Sequence, residues 1–192
     1  MDKVTVAIQR LKKAMEDAEI QPENGLGNEL FLFSTTLVPL ICVDLFVVNK
    51  QGNVLLSWRM DEHCGTGWYV PGGCIRLGET FAERIKKTAL AELGTEVTYD
   101  PQPIRVYEYF APVYRENLSD QRERSHIVTL TFSCQVPENY KIPAQYVNKK
   151  ASGSLRWFSE MPEERLLLQN CYWSEWDKLI GEVRSKRYGE ME

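Results

Sequence analysis

The sequence predicts an α/β fold in which a mixed β-sheet is sandwiched between helices, with extra helices at the N- and C-terminal ends. Three observations lead there. Runs rich in β-branched and aromatic residues fall at 38–49, 54–59, 68–70, 95–113, 125–136 and 155–158. A capped amphipathic helix interrupts them between residues 80 and 94, and helical stretches stand at 3–19 and 172–187. Strands and helices do not alternate regularly, so a parallel βαβ array is not expected.

Taken in order, Val4, Ile8, Leu11 and Met15 recur at helical spacing, so residues 3–19 form an amphipathic helix. The turn-rich segment 21–28 follows as a linker. The chain therefore divides into an N-terminal helix and linker, 1–28, and a main domain, 29–192, that includes the C-terminal helix. Residues 38–49 form a strong strand, Gln51-Gly52-Asn53 turns the chain, and Val54 to Arg59 returns as a second strand. Residues 60–67 are polar and contain glycine, which reads as a loop. Trp68-Tyr69-Val70 is a short strand entering Pro71-Gly72-Gly73. Thr80 and Glu83 have capping-box spacing, so a helix starts near Phe81, and Gly94 stands where a C-cap glycine ends it. Two long strands at 95–113 and 125–136 are joined by a polar segment at 115–124, followed by a short strand at Leu155 to Phe158 and a helix over 172–187.

Composition narrows the function classes. With 43% hydrophobic and 26% charged residues, the 192-residue chain reads as a single soluble domain with a substantial core. Its formal net charge of −4 argues against a broad nucleic-acid surface and leaves room for a small nucleotide. The five cysteines are odd in number and none is spaced as CxxC, which fits neither a disulfide framework nor a zinc site. A reducing cytoplasm is the expected location. The N-terminus has no apolar signal core, and no stretch approaches the roughly 20 apolar residues of a membrane span.

Glu92 carries the strongest chemical signal. Projected at about 100° per residue, Phe81, Ile85 and Ala89 form an apolar stripe, and Glu92 points along it. A carboxylate on the core side of a helix is costly unless something pairs with it. The Gly72-Gly73 turn just upstream allows close approach of a ligand to the backbone. Together they suggest a divalent cation and a phosphate, since magnesium binds through one or two carboxylates plus substrate phosphates. Glu79, just before the helix, either supports the metal-binding loop or acts as an electrostatic cap.

The stretch from Gly73 to Thr95 resembles the Nudix box. Gly73, Glu79, Ala89, Glu92 and Gly94 match in register, and Lys87 replaces the arginine of that pattern. Thr88 and Ala91 stand where two metal-binding glutamates are usual, and Thr95 replaces the last aliphatic residue. The second half of the box is similar to that of GDP-mannose mannosyl hydrolases, a branch that keeps only the last glutamate. That branch uses one Mg²⁺ and breaks a C–O bond, not a P–O bond. The resemblance runs from about Pro39 to Phe132.

It implies a metal site at the Gly72 carbonyl and Glu92, with Glu79 in support, holding Mg²⁺ or, in its place, Mn²⁺. It implies substrate-binding roles for Asp44, Arg59 and Trp68, with Arg59 assisting the leaving diphosphate. Where the family has an arginine directly after the two glycines this chain has Cys74, so Arg76, two residues on, is the substitute. The family's base is a histidine shortly before an Arg-Trp strand. Arg156-Trp157 is present, but no histidine precedes it. The base is then His126, which has a histidine counterpart in the family, or His63, or a carboxylate among Glu116, Asp120 and Glu123. The implied activity is cleavage of a nucleotide sugar of the GDP-mannose type to GDP and sugar. The alternatives are cleavage at the pyrophosphate of a nucleotide sugar or ADP-ribose, and a non-catalytic nucleotide-binding module. The implied assembly is a homodimer, without nucleic acid or membrane.

Overall fold

A computed structural model describes residues 2–61, 64–110, 126–147 and 151–189. Two helices open the chain: α1 (Lys3–Asp17), capped by the Asp2 carboxylate, and α2 (Asn28–Thr35). α1 buries no residue, whereas α2 buries Leu32 and Thr35. Next come β1 (Leu40–Val47), β2 (Val54–Asp61), β3 (Gly65–Tyr69) and β4 (Gly72–Cys74). Helix α3 (Phe81–Thr88) runs straight into one wide π-type turn, Ala89–Leu93. The chain continues through β5 (Thr98–Tyr99), β6 (Arg105–Phe110), β7 (His126–Gln135) and β8 (Leu155–Phe158) to the closing helices α4 (Asn170–Ser174) and α5 (Trp176–Tyr188).

The strands form two sheets. One is mixed, in the order β4-β1-β7-β5, with β6 also paired to β7. Only β1 and β7 run parallel in it. The other is antiparallel, β3-β2-β8. Side chains alternate along β1, and each face has its own cover. Val43, Leu45 and Val47 pack with Leu130 and Phe132 of β7 against Ile85, Ala89 and Leu93 of the central helix. Phe46 lies on the opposite face and packs with Trp58, Trp68, Tyr172 and Trp176, so α4 and α5 cover that side. The predicted sheet-between-helices arrangement is the one observed. No helix among the described residues is long and apolar enough to cross a membrane.

Several elements differ from expectation. The 60–67 segment is mostly strand: Arg59 pairs with Gly67 and Asp61 with Gly65 across a β2–β3 hairpin. Ladder hydrogen bonds come from the backbone, so polar and glycine residues do not prevent them. Residues 98–110 hold two short strands because Pro101 and Pro103, which lack N–H donors, lie between them. The C-terminal helix is broken at Glu175, whose carboxylate accepts from Arg105 Nε at 3.1 Å and Tyr107 Oη at 2.9 Å. Helix α2, at the start of the main domain, is an element that the sequence pattern does not predict.

The wide turn at the end of α3 is the departure that matters for the site. The capping box at Thr80 and Glu83 forms as the sequence predicts. Phe81 is exposed while Ile85 and Ala89 are fully buried. Past Ala89 the helix underwinds, so the projection that aligned Glu92 with Ile85 no longer holds. Gly94 then closes the turn in the left-handed conformation at φ 69°. A methyl group there would also lie 2.9 Å from the Tyr146 ring. Gly94→Ala is therefore expected to cost about 1–2 kcal/mol, read as a lower urea midpoint; an unchanged midpoint would show that the turn relaxes.

Candidate active site

The site grows from the pairing of β1 with β4. Leu45 N donates to Pro71 O at 2.8 Å and Ile75 N to Ile41 O at 2.9 Å. Those bonds fix the 45/71 and 41/75 rungs as hydrogen-bonded. The intervening Asp44/Gly72 and Cys42/Cys74 rungs are therefore of the other kind, in which facing side chains stand closest. Gly72 has no alternative at its rung, since a Cβ would sit 1.9 Å from Asp44 Oδ1.

Asp44 is buried, not solvent-facing. Tyr172 Oη donates to its Oδ2 at 2.8 Å, and the Thr131 hydroxyl lies 2.6 Å from the same phenol oxygen. Burial pushes the Asp44 carboxyl up to about 7; the hydrogen bond from Tyr172, the nearby Thr129 hydroxyl and the charge of Arg59 oppose that rise, and the charge of Glu92 adds to it. The carboxylate thus lies in a pocket whose walls include Arg59, Tyr69, Gly72, Cys42 and Cys74.

Arg59 on β2 and Tyr69 on β3 form the second half of the site. The Arg59 guanidinium lies 4.4 Å above the Tyr69 ring. Burial disfavours its charge, but Tyr69, Cys64 and Glu92 outweigh that and leave it firmly protonated. Tyr69 Oη donates to Glu92 Oε2. Burial raises the Glu92 carboxyl above its usual range, while the Tyr69 hydrogen bond and Arg59 oppose the shift. Gln169 braces the strand leading into the glycine turn, accepting from Val70 N at 2.8 Å and donating to Val70 O at 3.2 Å.

Asp44, Arg59, Gly72 and Glu92 are therefore brought together, as the resemblance implies. The other predicted residues are not. Glu79 has only 5% of its side chain exposed, although it lies just beneath the surface. It accepts from Arg84 Nε at 2.8 Å, Lys87 Nζ at 2.8 Å and the Arg76 backbone N–H at 2.9 Å. Its oxygens are engaged by protein donors, which tie the loop to α3. Trp68 alternates with Tyr69 and points into the core, edge-on to Trp58 at 5.2 Å and Phe158 at 4.9 Å. Arg76 donates to Asn24 O at 2.5 Å. Strand β4 ends at Cys74, so the alternation that would have placed Arg76 beside it stops too early. His126 stacks on Phe110 at 4.5 Å with Nε2 2.9 Å from Glu108 Oε1, while its neighbour Ile127 lines the pocket. His63, Glu116, Asp120 and Glu123 lie outside the described residues.

Sequence reasoning missed Tyr172, Gln169 and the Tyr69 hydroxyl. Tyr172 and Gln169 reach their partners from 128 and 99 residues away in sequence, and no local pattern announces them. Tyr69 was visible as one aromatic among many, without its bond to Glu92.

A divalent cation fits this donor set. Asp44 is buried against a backbone turn that admits no side chain, Glu92 is half-buried beyond Tyr69, and burial raises the affinity of both for protons. Magnesium is commonly held by one or two carboxylates, with substrate phosphates completing its shell. Among the described residues no cluster of three or more His, Cys, Asp or Glu side chains could hold a metal alone. Thr88, at a usual glutamate position, is packed against Gly73, and its buried hydroxyl has no hydrogen-bond partner.

Comparison with known proteins places the fold. The NUDIX domain profile matches residues 38–170. The low-salt glycan biosynthesis protein Agl8 of Haloferax volcanii is 38% identical over 73 residues, which is 38% of this chain and 46% of that protein. The match thus spans less than half the length of that relative. Among solved structures, a UDP-X diphosphatase is similar at a TM-score of 0.52 and 18% identity, over 78% of this chain and 64% of that one. The MutT protein of Methanosarcina mazei Go1 gives a TM-score of 0.52 at 16% identity, over 73% of this chain and 95% of its own. An ADP-ribose pyrophosphatase from Streptococcus suis gives 0.51 at 15%, over 78% and 96%. At such identities these three show a common fold.

The state of Glu79 yields a pH prediction. Its own burial is unfavourable, but Lys87, Arg84 and the Arg76 amide pull the carboxyl down from 4.5 to about 2. A depressed folded value means the contribution is complete above the ordinary value of 4.5 and disappears as the pH falls towards 2. Glu79→Gln should lower stability by about 2 kcal/mol at neutral pH, and the gap from wild type should close on acidification through that window. A gap independent of pH would refute the ion-pair account.

Proposed function

The chain belongs to the Nudix family, and from that premise we propose that it hydrolyses a nucleoside diphosphate derivative, a nucleotide sugar such as GDP-mannose, to GDP and sugar. One observation carries the reading: Glu92 stands with Tyr69, Arg59, Asp44 and Gly72, while Thr88 and Ala91 replace two further carboxylates. A box with so few acidic groups suits a single ion resting on the diphosphate. It lacks the extra anionic ligands that would help arm water for attack at phosphorus. The glycan-biosynthesis name of the Haloferax relative accords with a sugar-bearing substrate.

Glu92 and the Gly72 backbone would hold Mg²⁺, or Mn²⁺, and that ion would offset the charge of the diphosphate. Arg59 is kept cationic beside Tyr69, and its planar fork pairs with phosphate oxygens as negative charge develops on the departing GDP. Tyr69 orients the Glu92 carboxylate by its hydrogen bond. Asp44, anchored by Tyr172, presents an acceptor to substrate hydroxyl groups at the base of the pocket.

Cleavage at the pyrophosphate has one observation in its favour. Asp44 and Glu92 sense each other's charge, so the pocket offers a second carboxylate from outside the box. Hydrolysis in heavy-oxygen water, followed by phosphorus NMR, separates the two. Our reading predicts GDP free of label, with the heavy oxygen in the sugar; label in phosphate would move the protein to the pyrophosphohydrolases. Glu92→Gln keeps an acceptor for Tyr69 but removes the charge. It should lower kcat at least about 100-fold with the melting temperature near that of wild type. Full turnover by this variant would end the proposal.

A further inference from the structure

Two rungs along the ladder from Asp44/Gly72, on the same face, stand two thiols. Cys42 and Cys74 face each other directly across β1 and β4, and their sulfurs are 3.0 Å apart. This rung is the non-hydrogen-bonded kind, whose Cα atoms stand about 4.5 Å apart, within the span that a disulfide bridges. Cys42 is buried, Cys74 is half-buried, and both line the pocket that holds Asp44 and Arg59. The contact needs to shorten by only about 1 Å to become a bond.

We propose that Cys42 and Cys74 are an oxidation site that a hydrogen-peroxide-class oxidant closes into a cross-strand disulfide. The Cys74 sulfur, the more accessible, attacks one peroxide oxygen as its thiolate; the O–O bond breaks, leaving a sulfenic acid and a hydroxide that leaves as water with the proton the thiol gave up. The Cys42 sulfur then attacks the Cys74 sulfur, the S–O bond breaks, and the hydroxide departs as water with the Cys42 proton. Overall two thiols lose two electrons and two protons, and one peroxide becomes two waters. The new bond ties the strand that carries Gly72 to the strand that carries Asp44, two rungs from their contact and on the same face. The proposal rests on strand register and sulfur positions, independently of the activity proposed above.

The test uses the full chain treated with hydrogen peroxide, then alkylated and digested. Of the five cysteines, two should lose reactivity. Mass spectrometry should find the Cys42 and Cys74 peptides joined and lighter by two hydrogen atoms, with dithiothreitol restoring both thiols. Cys42→Ala should leave Cys74 trapped as a sulfenic acid that dimedone labels, and circular dichroism reports whether that variant stays folded. Should it not, Cys74→Ser, which removes the half-buried thiol, must abolish the cross-link. A Cys74 bridge to Cys64, over-oxidation of Cys74 with Cys42 still reactive, or five unchanged thiols would each overturn the assignment.

Discussion

Two carboxylates, Asp44 and Glu92, are held out of water close enough to feel each other's charge, and the organisation of the site follows from that constraint. Each would be costly alone. Each is therefore given its own hydrogen-bond donor: the Tyr172 hydroxyl for Asp44 and the Tyr69 hydroxyl for Glu92. A single guanidinium, Arg59, lies over Tyr69 and contributes charge to both. The donors come from different parts of the fold, so the two sheets and the C-terminal helices must all be in place before the carboxylates are satisfied. What these donors leave undone is the residual tendency of both acids to bind a proton, which a divalent cation would relieve.

Backbone geometry sets where those groups stand. The non-hydrogen-bonded rung between Asp44 and Gly72 excludes a side chain at position 72 and presses the glycine turn onto the carboxylate. At the far end of α3 the helix opens into one wide turn over Ala89–Leu93, which re-aims Glu92 after a capping box and a buried Ile85 have fixed the start of the helix. Thr88 packs its short side chain against Gly73, so the place of a usual box carboxylate is occupied by a neutral group. Glu79, Arg84 and Lys87 form a separate ion-pair knot that holds the loop without entering the pocket.

Much of this was legible in the sequence. The helix cap at Thr80, the C-cap at Gly94, the strong first strand and the grouping of Asp44, Arg59, Gly72 and Glu92 all rest on local pattern or on motif register. What escaped was what local pattern cannot encode. Trp68 and Tyr69 differ only in which strand face they occupy, and tertiary pairing decides that. Arg76 would share the face of Cys74 only if the alternation of β4 ran on past its last residue. His126 was placed by its strand position, yet β7 turns Ile127, not His126, towards the pocket. Tyr172 reads only as the start of the C-terminal helix and Gln169 falls in the stretch before it, and their partners lie on β1 and just past β3. The underwound turn at Ala89–Leu93 has no local sequence signature, and it turns Glu92 away from the line that α-helical spacing predicts.

The central claim is that this cluster holds one divalent ion through Glu92. Its most direct test is a Mn²⁺ titration of the chain in the presence of GDP, followed by electron paramagnetic resonance. The account predicts one bound ion per chain, lost in Glu92→Gln. Two or more ions per chain, or one ion bound as tightly without the Glu92 charge, would contradict it.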